Sequence, residues 1–534
     1  VGSHVGGFTP FAIEITKSMA GLREGFVVVA VDNTRREFGV PAPKTDWQNY
    51  GGLTGSVSLI CVPKSFVRST LVHLTEAEFK EGQLKAGRLV GYTFLDTLDT
   101  APIGLGDVEV SLRSSRGEEY SLELESRTAP RGEDMCDTTA FPTVRCILFS
   151  ASLASAPAWV RECVWTPAFP QRLLALVTKF RGDELEQEYG LCSVTVQQTE
   201  LLLNGHPLFL RGVSLHDERF GFAGGRTRSR LDALQLVSAA KSLNANALRL
   251  AHYPHPRWTV EAARDAGMVF WSEIPVYWSI RFDLPETCRQ AESQLRELIW
   301  RDALNPAVVI WGIGNETPQR DGREDFFQRL SWVARTLDGR PISAALLHEG
   351  GASGTESGTK TGGQRERSIV DPLQKQLDII SVNQYAGWYD GKADPFSVLR
   401  DRVWKVDKDR PFIMSEFGAG ARHGLHSSPT GPPERWSEEF QESVYELQFA
   451  GFARIPNLRG CFPWILKDFQ TPMRPLPIQQ GFNRKGLFSE SGQEKRAARY
   501  VRRAYGSAAT VQDAALREWC DRLGGDFHLL WPPL

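Results

Sequence analysis

No run of 18 or more consecutive apolar residues occurs in this sequence, and a helix that crosses a membrane needs about that many. Neither sign of charge dominates: 62 Lys and Arg stand against 64 Asp and Glu. That balance lacks the footprint of a nucleic-acid or membrane-surface binder. The eight cysteines (Cys61, Cys136, Cys146, Cys163, Cys192, Cys288, Cys461 and Cys520) include no C-x-x-C pair and no metal spacing, so they do not fix a redox compartment, and localisation stays open. Neither a G-x-x-x-x-G-K-[ST] phosphate loop nor a G-x-S-x-G nucleophile elbow is present. "GIGNET" offers Gly312 and Gly314 but Thr317 where a third glycine belongs, and His252 and His255 in "HYPH" have no further spaced ligands. The expectation is therefore an activity with no metal and no cofactor, on no nucleic acid and no membrane. An initial Met and a leader are also missing, and Val1 opens in what reads as a strand, so the chain is expected to begin part-way into a longer protein.

The sequence does have length and aromatic residues. At 534 residues, 41% of them apolar, it is expected to form roughly three domains. The 15 Trp and 11 Tyr exceed what packing alone demands; most are expected in the core, although flat aromatic faces also suit the C–H faces of sugars. Residues 1 to 199 hold short β-rich runs, "FVVVAVD" (26–32), "GSVSLICV" (55–62), "DVEVSLR" (107–113), "EYSLELES" (119–126) and "RLLALVTKF" (172–180), broken by Gly, Pro and Asp. This is the pattern of β-sandwiches.

Beyond about residue 200 the rhythm changes. Eight apolar runs, at 208–216, 247–254, 268–276, 308–316, 341–347, 377–385, 411–418 and 458–466, alternate with helical stretches such as Leu236, Ala240 and Leu243, or Phe326, Leu330, Val333 and Leu337. Eight strand and helix units over roughly 300 residues describe a (β/α)8 barrel. "GGASGTESGTKTGG" (350–363), after the fifth run, is low-complexity and reads as a disordered loop or a lid. The tail at 507–534 carries no nameable chemistry.

Polar residues at the C-terminal ends of barrel strands are the default catalytic positions. Glu316 closes the fourth apolar run and Glu416 the seventh, which sets two carboxyls at one mouth. Two carboxylates across a pocket can split a glycosidic bond, one raised in pKa as acid/base and one ionised as nucleophile. The competing reading has each pair with an arginine and support the barrel. Asn315, beside Glu316, can hydrogen-bond a sugar hydroxyl as charge develops. Arg249, in the second run, can lower the Glu416 pKa or serve as a structural ion pair.

"LNGHPLFLRGVSLH", "LRLAHYP", "WGIGNE", "SVNQYAGWY", "MSEFGAG" and "FNRKGLF" follow the order and rough spacing of glycoside hydrolase family 2, and the chain resembles that family's β-glucuronidases over nearly its whole length. The resemblance implies a multidomain chain of α/β and all-β parts. These are a partial jelly-roll sugar-binding domain (1–65), carried by "GFTPF" and "DWQNYGGL", an immunoglobulin-like β-sandwich (66–199), and a catalytic (β/α)8 TIM barrel (200–506). It also implies retaining hydrolysis through a covalent glycosyl-enzyme, with Glu316 as acid/base and Glu416 as nucleophile. Asp46, His216, Tyr385, Tyr389 and Trp464 fall on pocket positions of the family. Asn483 and Lys485 fall on the Asn-x-Lys pair that grips the C5 carboxylate of a uronic acid. An ammonium and an amide converging on a carboxylate make charge-assisted hydrogen bonds that a neutral CH2OH does not match.

The sequence departs from the family at two points. Gln479 stands four residues before Asn483 where glucuronidases often have arginine, and the segment after strand three (280–292) is short, which suggests an open site for larger aglycones. A β-galacturonidase, a β-galactosidase and a non-catalytic carbohydrate-binding protein remain as alternatives, and a homo-oligomer is compatible with all of them.

Overall fold

The computed structural model describes residues 1–97, 101–127, 144–221, 224–347, 360–361, 364–368, 371–389, 395–400 and 402–506. A barrel strand has the helix layer on one face and the barrel interior on the other, so it reads as an unbroken apolar run rather than an alternation. Val308–Asn315 buries all eight of its residues in this way. Eight parallel strands close on themselves in chain order: Leu210–Leu215, Ala247–Leu250, Val269–Glu273, Val308–Asn315, Ile342–Leu347, Ile380–Asn383, Phe412–Phe417 and Leu458–Pro463. Closure is made by Leu210 against Gly460 and Arg211 against Cys461. Each apolar run contains one of these strands, and several runs outlast their strand because their last residues turn into the loops of the mouth. The interior is packed closely enough that a Cβ on Gly212 would lie 2.1 Å from the Phe462 ring.

The helical spacing has the burial it implies. Leu236 and Ala240 lie on the inner face of Arg230–Ser242, and Phe326, Leu330, Val333 and Leu337 on that of Arg323–Leu337. Ser229 caps the first of these helices by accepting from the Asp232 N–H. The crossovers are uneven: strands five and six are linked through a 3-10 turn at Pro372–Gln376, and strands six and seven through the six-residue helix Pro395–Arg400.

Upstream, two four-stranded antiparallel sheets face one another. One is ordered Ser65–Lys80, Gln83–Thr97, Val144–Ser152, Glu125–Ser126, and the other Glu119–Ser121, Val108–Arg113, Leu174–Phe180, Asp183–Tyr189. Val72, Leu89 and Leu95 of the first share a core with Val110, Leu112 and Leu176 of the second.

Residues 1–64 correct the sequence reading. They hold one short helix, Thr16–Met19, and no strand, so the runs at 26–32 and 55–62 are not strands and no jelly roll is built from 1–65. A strand exists only by pairing, and among the described residues these runs meet no sheet edge; Phe26, Val28 and Leu59 face outward. The segment is anchored by separate contacts instead: His4 Nε2 lies 2.9 Å from Glu297 Oε1, Phe8 stacks on Tyr253, Trp47 packs with Tyr253, Tyr277 and Trp464, and the Gln48 N–H donates to the Gln470 carbonyl at 3.0 Å. Of the loop at 350–363 only Lys360–Thr361 is described, and the tail at 507–534 lies outside the described residues.

Candidate active site

Strand four ends at Asn315, and Glu316 follows with φ +48°, a left-handed conformation that is uncommon outside glycine and concentrates at functional sites. The Glu316 N–H donates to Ala345 O at 2.8 Å, which ties this turn to strand five. Its carboxyl is half-buried and held on both sides: Oε2 accepts from Trp278 Nε1 at 2.8 Å and Oε1 from Asn383 Nδ2 at 2.9 Å.

Glu416, in strand seven, is buried and accepts two short hydrogen bonds, from Arg249 Nη1 and from the Tyr385 hydroxyl, both at 2.6 Å. Burial pushes its carboxyl up to about 7, Arg249 opposes that rise, and the charge of Glu316 adds to it. The expectation that Arg249 would lower the Glu416 pKa is corrected in its net direction: the guanidinium does lower the value, but desolvation outweighs it. Arg249 is itself fully buried, with Nε 3.0 Å from Glu273 Oε1 and Nη2 donating to Asn315 Oδ1 at 2.7 Å. Asn383 accepts from Ser415 Oγ at its Oδ1, which turns its Nδ2 toward Asn315 Oδ1 and Glu316. One chain of hydrogen bonds therefore runs Glu416, Arg249, Asn315, Asn383, Glu316, and couples the two carboxyls.

A second cluster gathers beside them. Asp46, from the N-terminal segment, is buried and accepts from Thr471 Oγ1 at 2.9 Å, Asn483 Nδ2 at 3.2 Å and the Arg474 guanidinium. Lys485 is 5% exposed, and its Nζ donates to the Tyr389 hydroxyl at 2.7 Å and lies 5.1 Å from the Tyr385 ring centre. Burial would raise the Tyr389 phenol, but the charges of Lys485 and Arg474 outweigh it and lower the value. Among the described residues no carboxylate lies within ion-pair distance of the Lys485 ammonium.

The aromatic floor holds the remaining sequence candidates. His216 is buried, 3.1 Å by Nδ1 from the Tyr253 hydroxyl, and Trp464 stacks on His252 with ring centres 4.9 Å apart. Burial, with His255 nearby, takes the His216 pKa well below its ordinary value, so the ring is neutral. Its Nε2 has no partner among the described residues.

The profile of "Glycosyl hydrolases family 2, TIM barrel domain" matches residues 194–510, more than half of the chain. The chain belongs to glycoside hydrolase family 2. A β-glucuronidase of Paenibacillus borealis is 25% identical over 95% of this chain and 81% of its own length. A β-glucuronidase of Streptococcus agalactiae is 27% identical over 60% of this chain, which spans about half (54%) of that relative. Among solved structures, a Ruminococcus gnavus β-glucuronidase in complex with D-glucuronic acid superposes with TM-score 0.64 at 22% identity, covering 88% of this chain and 75% of its own. A β-galacturonidase of Eisenbergiella tayi bound to galacturonate superposes with TM-score 0.67 at 19% identity, covering 89% and 78%.

On this family 2 barrel the structure adds residues that the sequence reading passed over. Glu273 and Asn383 also end strands, three and six, and carried the same strand-end signal as Glu316 and Glu416. Trp278 and Arg474 sit on loops and carried none. Between Asn483, which meets Asp46, and Lys485, which meets Tyr389, Arg484 turns to other partners: its Nη1 lies 3.2 Å from Asp468 and also bonds Glu490; Lys495 Nζ is 2.7 Å from Asp468, and all four side chains are buried. This ion cluster anchors the loop. Asp468→Ala leaves Lys495 buried without its acid, and removing one partner of such a pair costs about 3–5 kcal/mol. Urea denaturation is expected to show a midpoint lowered accordingly; an unchanged midpoint removes the anchoring role.

Proposed function

We propose that this chain is a retaining exo-β-glucuronidase that hydrolyses terminal β-D-glucuronides by double displacement. The carrying observation is Lys485: a buried ammonium without a counter-ion among the described residues, beside the Tyr385 that bonds Glu416. A buried charge demands a partner, and the C5 carboxylate of a uronic acid supplies it at the rim of the carboxylate pair. Asn483 and Arg474 stand within the same cluster through Asp46.

In this reading Glu416 attacks the anomeric carbon while Glu316 gives its proton to the departing oxygen. A water deprotonated by Glu316 then displaces Glu416, so configuration is retained. Arg249 and Tyr385 stabilise the Glu416 carboxylate. Asn315 has its carbonyl oxygen taken by Arg249 and Asn383, and presents its amino group to the 2-hydroxyl. Asp46 reads sugar hydroxyls, His216 and Trp464 support the floor, and Tyr389 positions Lys485. The two-sheet unit at 66–199 acts as an immunoglobulin-like support, and the N-terminal segment contributes Asp46 to the site. A β-galacturonidase needs the same grip and differs at the 4-hydroxyl, which Asp46 would read.

Initial rates on aryl β-D-glucuronide, β-D-galacturonide and β-D-galactoside test the reading. The glucuronide is expected to be cleaved best, a preference for the 4-epimer names the second reading, and a preference for the galactoside removes both. Tyr385→Phe deletes a donor to the Glu416 carboxylate, so its pKa rises above about 7. Glu416 must be ionised to attack, so the acidic limb of kcat/KM is expected to move to higher pH in the variant; a limb that stays in place separates Tyr385 from Glu416 ionisation.

A further inference from the structure

Trp278 has two features that its place in the fold does not demand. Its backbone is left-handed, φ +50°, next to the equally left-handed Glu316 that it contacts. Its N–H donates to Asn315 O at 3.1 Å, and its indole Nε1 to Glu316 Oε2 at 2.8 Å. Two non-glycine residues in this region, joined by a hydrogen bond at a barrel mouth, are the kind of strain that persists only where the surroundings impose it. Behind the indole lies the buried Tyr277 ring, centres 4.5 Å apart and 29° from parallel, and Tyr277 bridges strand four at Asn315. The platform is therefore rigid.

The direction it faces follows from the partners of Glu316. Asn383, on Oε1, is buried in the barrel with Arg249 and Glu416, while Trp278, on Oε2, is half-buried. A terminal sugar attacked by Glu416 sits on the inner side, so the leaving group departs past the outer side of Glu316, where the indole is.

We infer that Trp278 is the leaving-group subsite, an aromatic platform that stacks the C–H face of a sugar aglycone and holds Glu316 in its proton-donating orientation. This rests on the proposed roles of Glu316 and Glu416. The ring supplies stacking area at low entropic cost, and its N–H fixes the plane of the acid. The ligand class is accordingly an oligosaccharide with a terminal uronic acid rather than a small alcohol glycoside.

The test separates the two contributions by variant and by leaving group. Trp278→Phe keeps the ring and loses the N–H; Trp278→Ala loses both. Each is assayed on a uronide with a sugar leaving group, on a methyl uronide and on a 4-nitrophenyl uronide, which needs little protonation. Trp278→Phe is expected to lower kcat/KM about tenfold on the sugar and methyl leaving groups and to spare kcat/KM on the 4-nitrophenyl substrate, since a positioned acid is worth 10²–10⁴-fold only where the leaving group needs its proton. Trp278→Ala is expected to raise KM a further tenfold for the sugar and 4-nitrophenyl leaving groups, which both offer a face to stack, and not for methyl. Equal losses on the sugar and methyl leaving groups in the alanine variant overturn the platform. Equal losses of kcat/KM on all three substrates in the phenylalanine variant overturn the positioning. If the wild type cleaves the galactosides and not the uronides, the uronide reading falls by itself, and the same leaving groups on galactose decide Trp278.

Discussion

Glu416→Gly is expected to lose on the order of 10⁴-fold or more in kcat on an aryl β-D-glucuronide, the scale of removing a nucleophile that acts as part of a unit, and azide is expected to restore turnover. The side chain lies buried between Arg249 and Tyr385, so glycine leaves a cavity of carboxylate size at the face from which Glu416 is proposed to attack. Azide entering there displaces the aglycone once, with Glu316 still able to protonate it, and the product is an α-glycosyl azide. Glu316→Gly behaves differently. The glycosyl-enzyme still forms from a substrate with a good leaving group, and azide then attacks it from the leaving-group side, which gives the β-azide. Product stereochemistry thus assigns each carboxyl independently of the size of the rate loss. A β-azide from Glu416→Gly would exchange the roles, and full activity in that variant would remove the pair from the chemistry.

The second large effect is expected at the opposite rim. Lys485→Ala lowers kcat/KM for the glucuronide by about 10³-fold, the cost of truncating one partner of a buried charge pair, and leaves the galactoside rate unchanged or higher. Among the described residues the ammonium is held by a phenol and aromatic faces, and in the proposed reading the substrate carboxylate is its counter-ion. Removing it costs the uronide an ion pair and relieves a neutral sugar of an unpaired charge. A fall in both rates by the same factor points instead to a distorted loop. Asp468→Ala tests that loop separately, because the Asp468, Arg484 and Lys495 cluster supports the same stretch without facing the pocket.

Much of this was legible in the residues. The barrel could be read because strands buried on both faces leave continuous apolar runs, and its helices because their inner faces repeat every three to four residues. Glu316 and Glu416 could be read because an acid at the end of such a run has no reason to be there as packing. The same logic applied to Glu273 and Asn383, whose strand ends carry an acid and an amide that lock Arg249 and Glu316 in place. The resemblance to glycoside hydrolase family 2 singled out Asn483 and Lys485, and the structure puts Asn483 against Asp46 and Lys485 against Tyr389.

What local pattern could not decide depends on partners distant in the chain. "FVVVAVD" and "SVSLICV" have the composition of strands, but a strand is a property of two segments, and among the described residues no edge meets them. The Glu416 carboxyl stands near neutrality because burial and Glu316 outweigh Arg249, a balance set by depth in the barrel. Asp46 and Arg474, 428 positions apart, meet only because the N-terminal segment crosses the mouth. Trp278 gains its role from the 38 residues that the fold brings back to place Glu316 against its indole nitrogen. The sequence by itself determined which segments bury and which acids end them; the tertiary structure decided which charges face one another, because electrostatic coupling depends on distance through space and not along the chain.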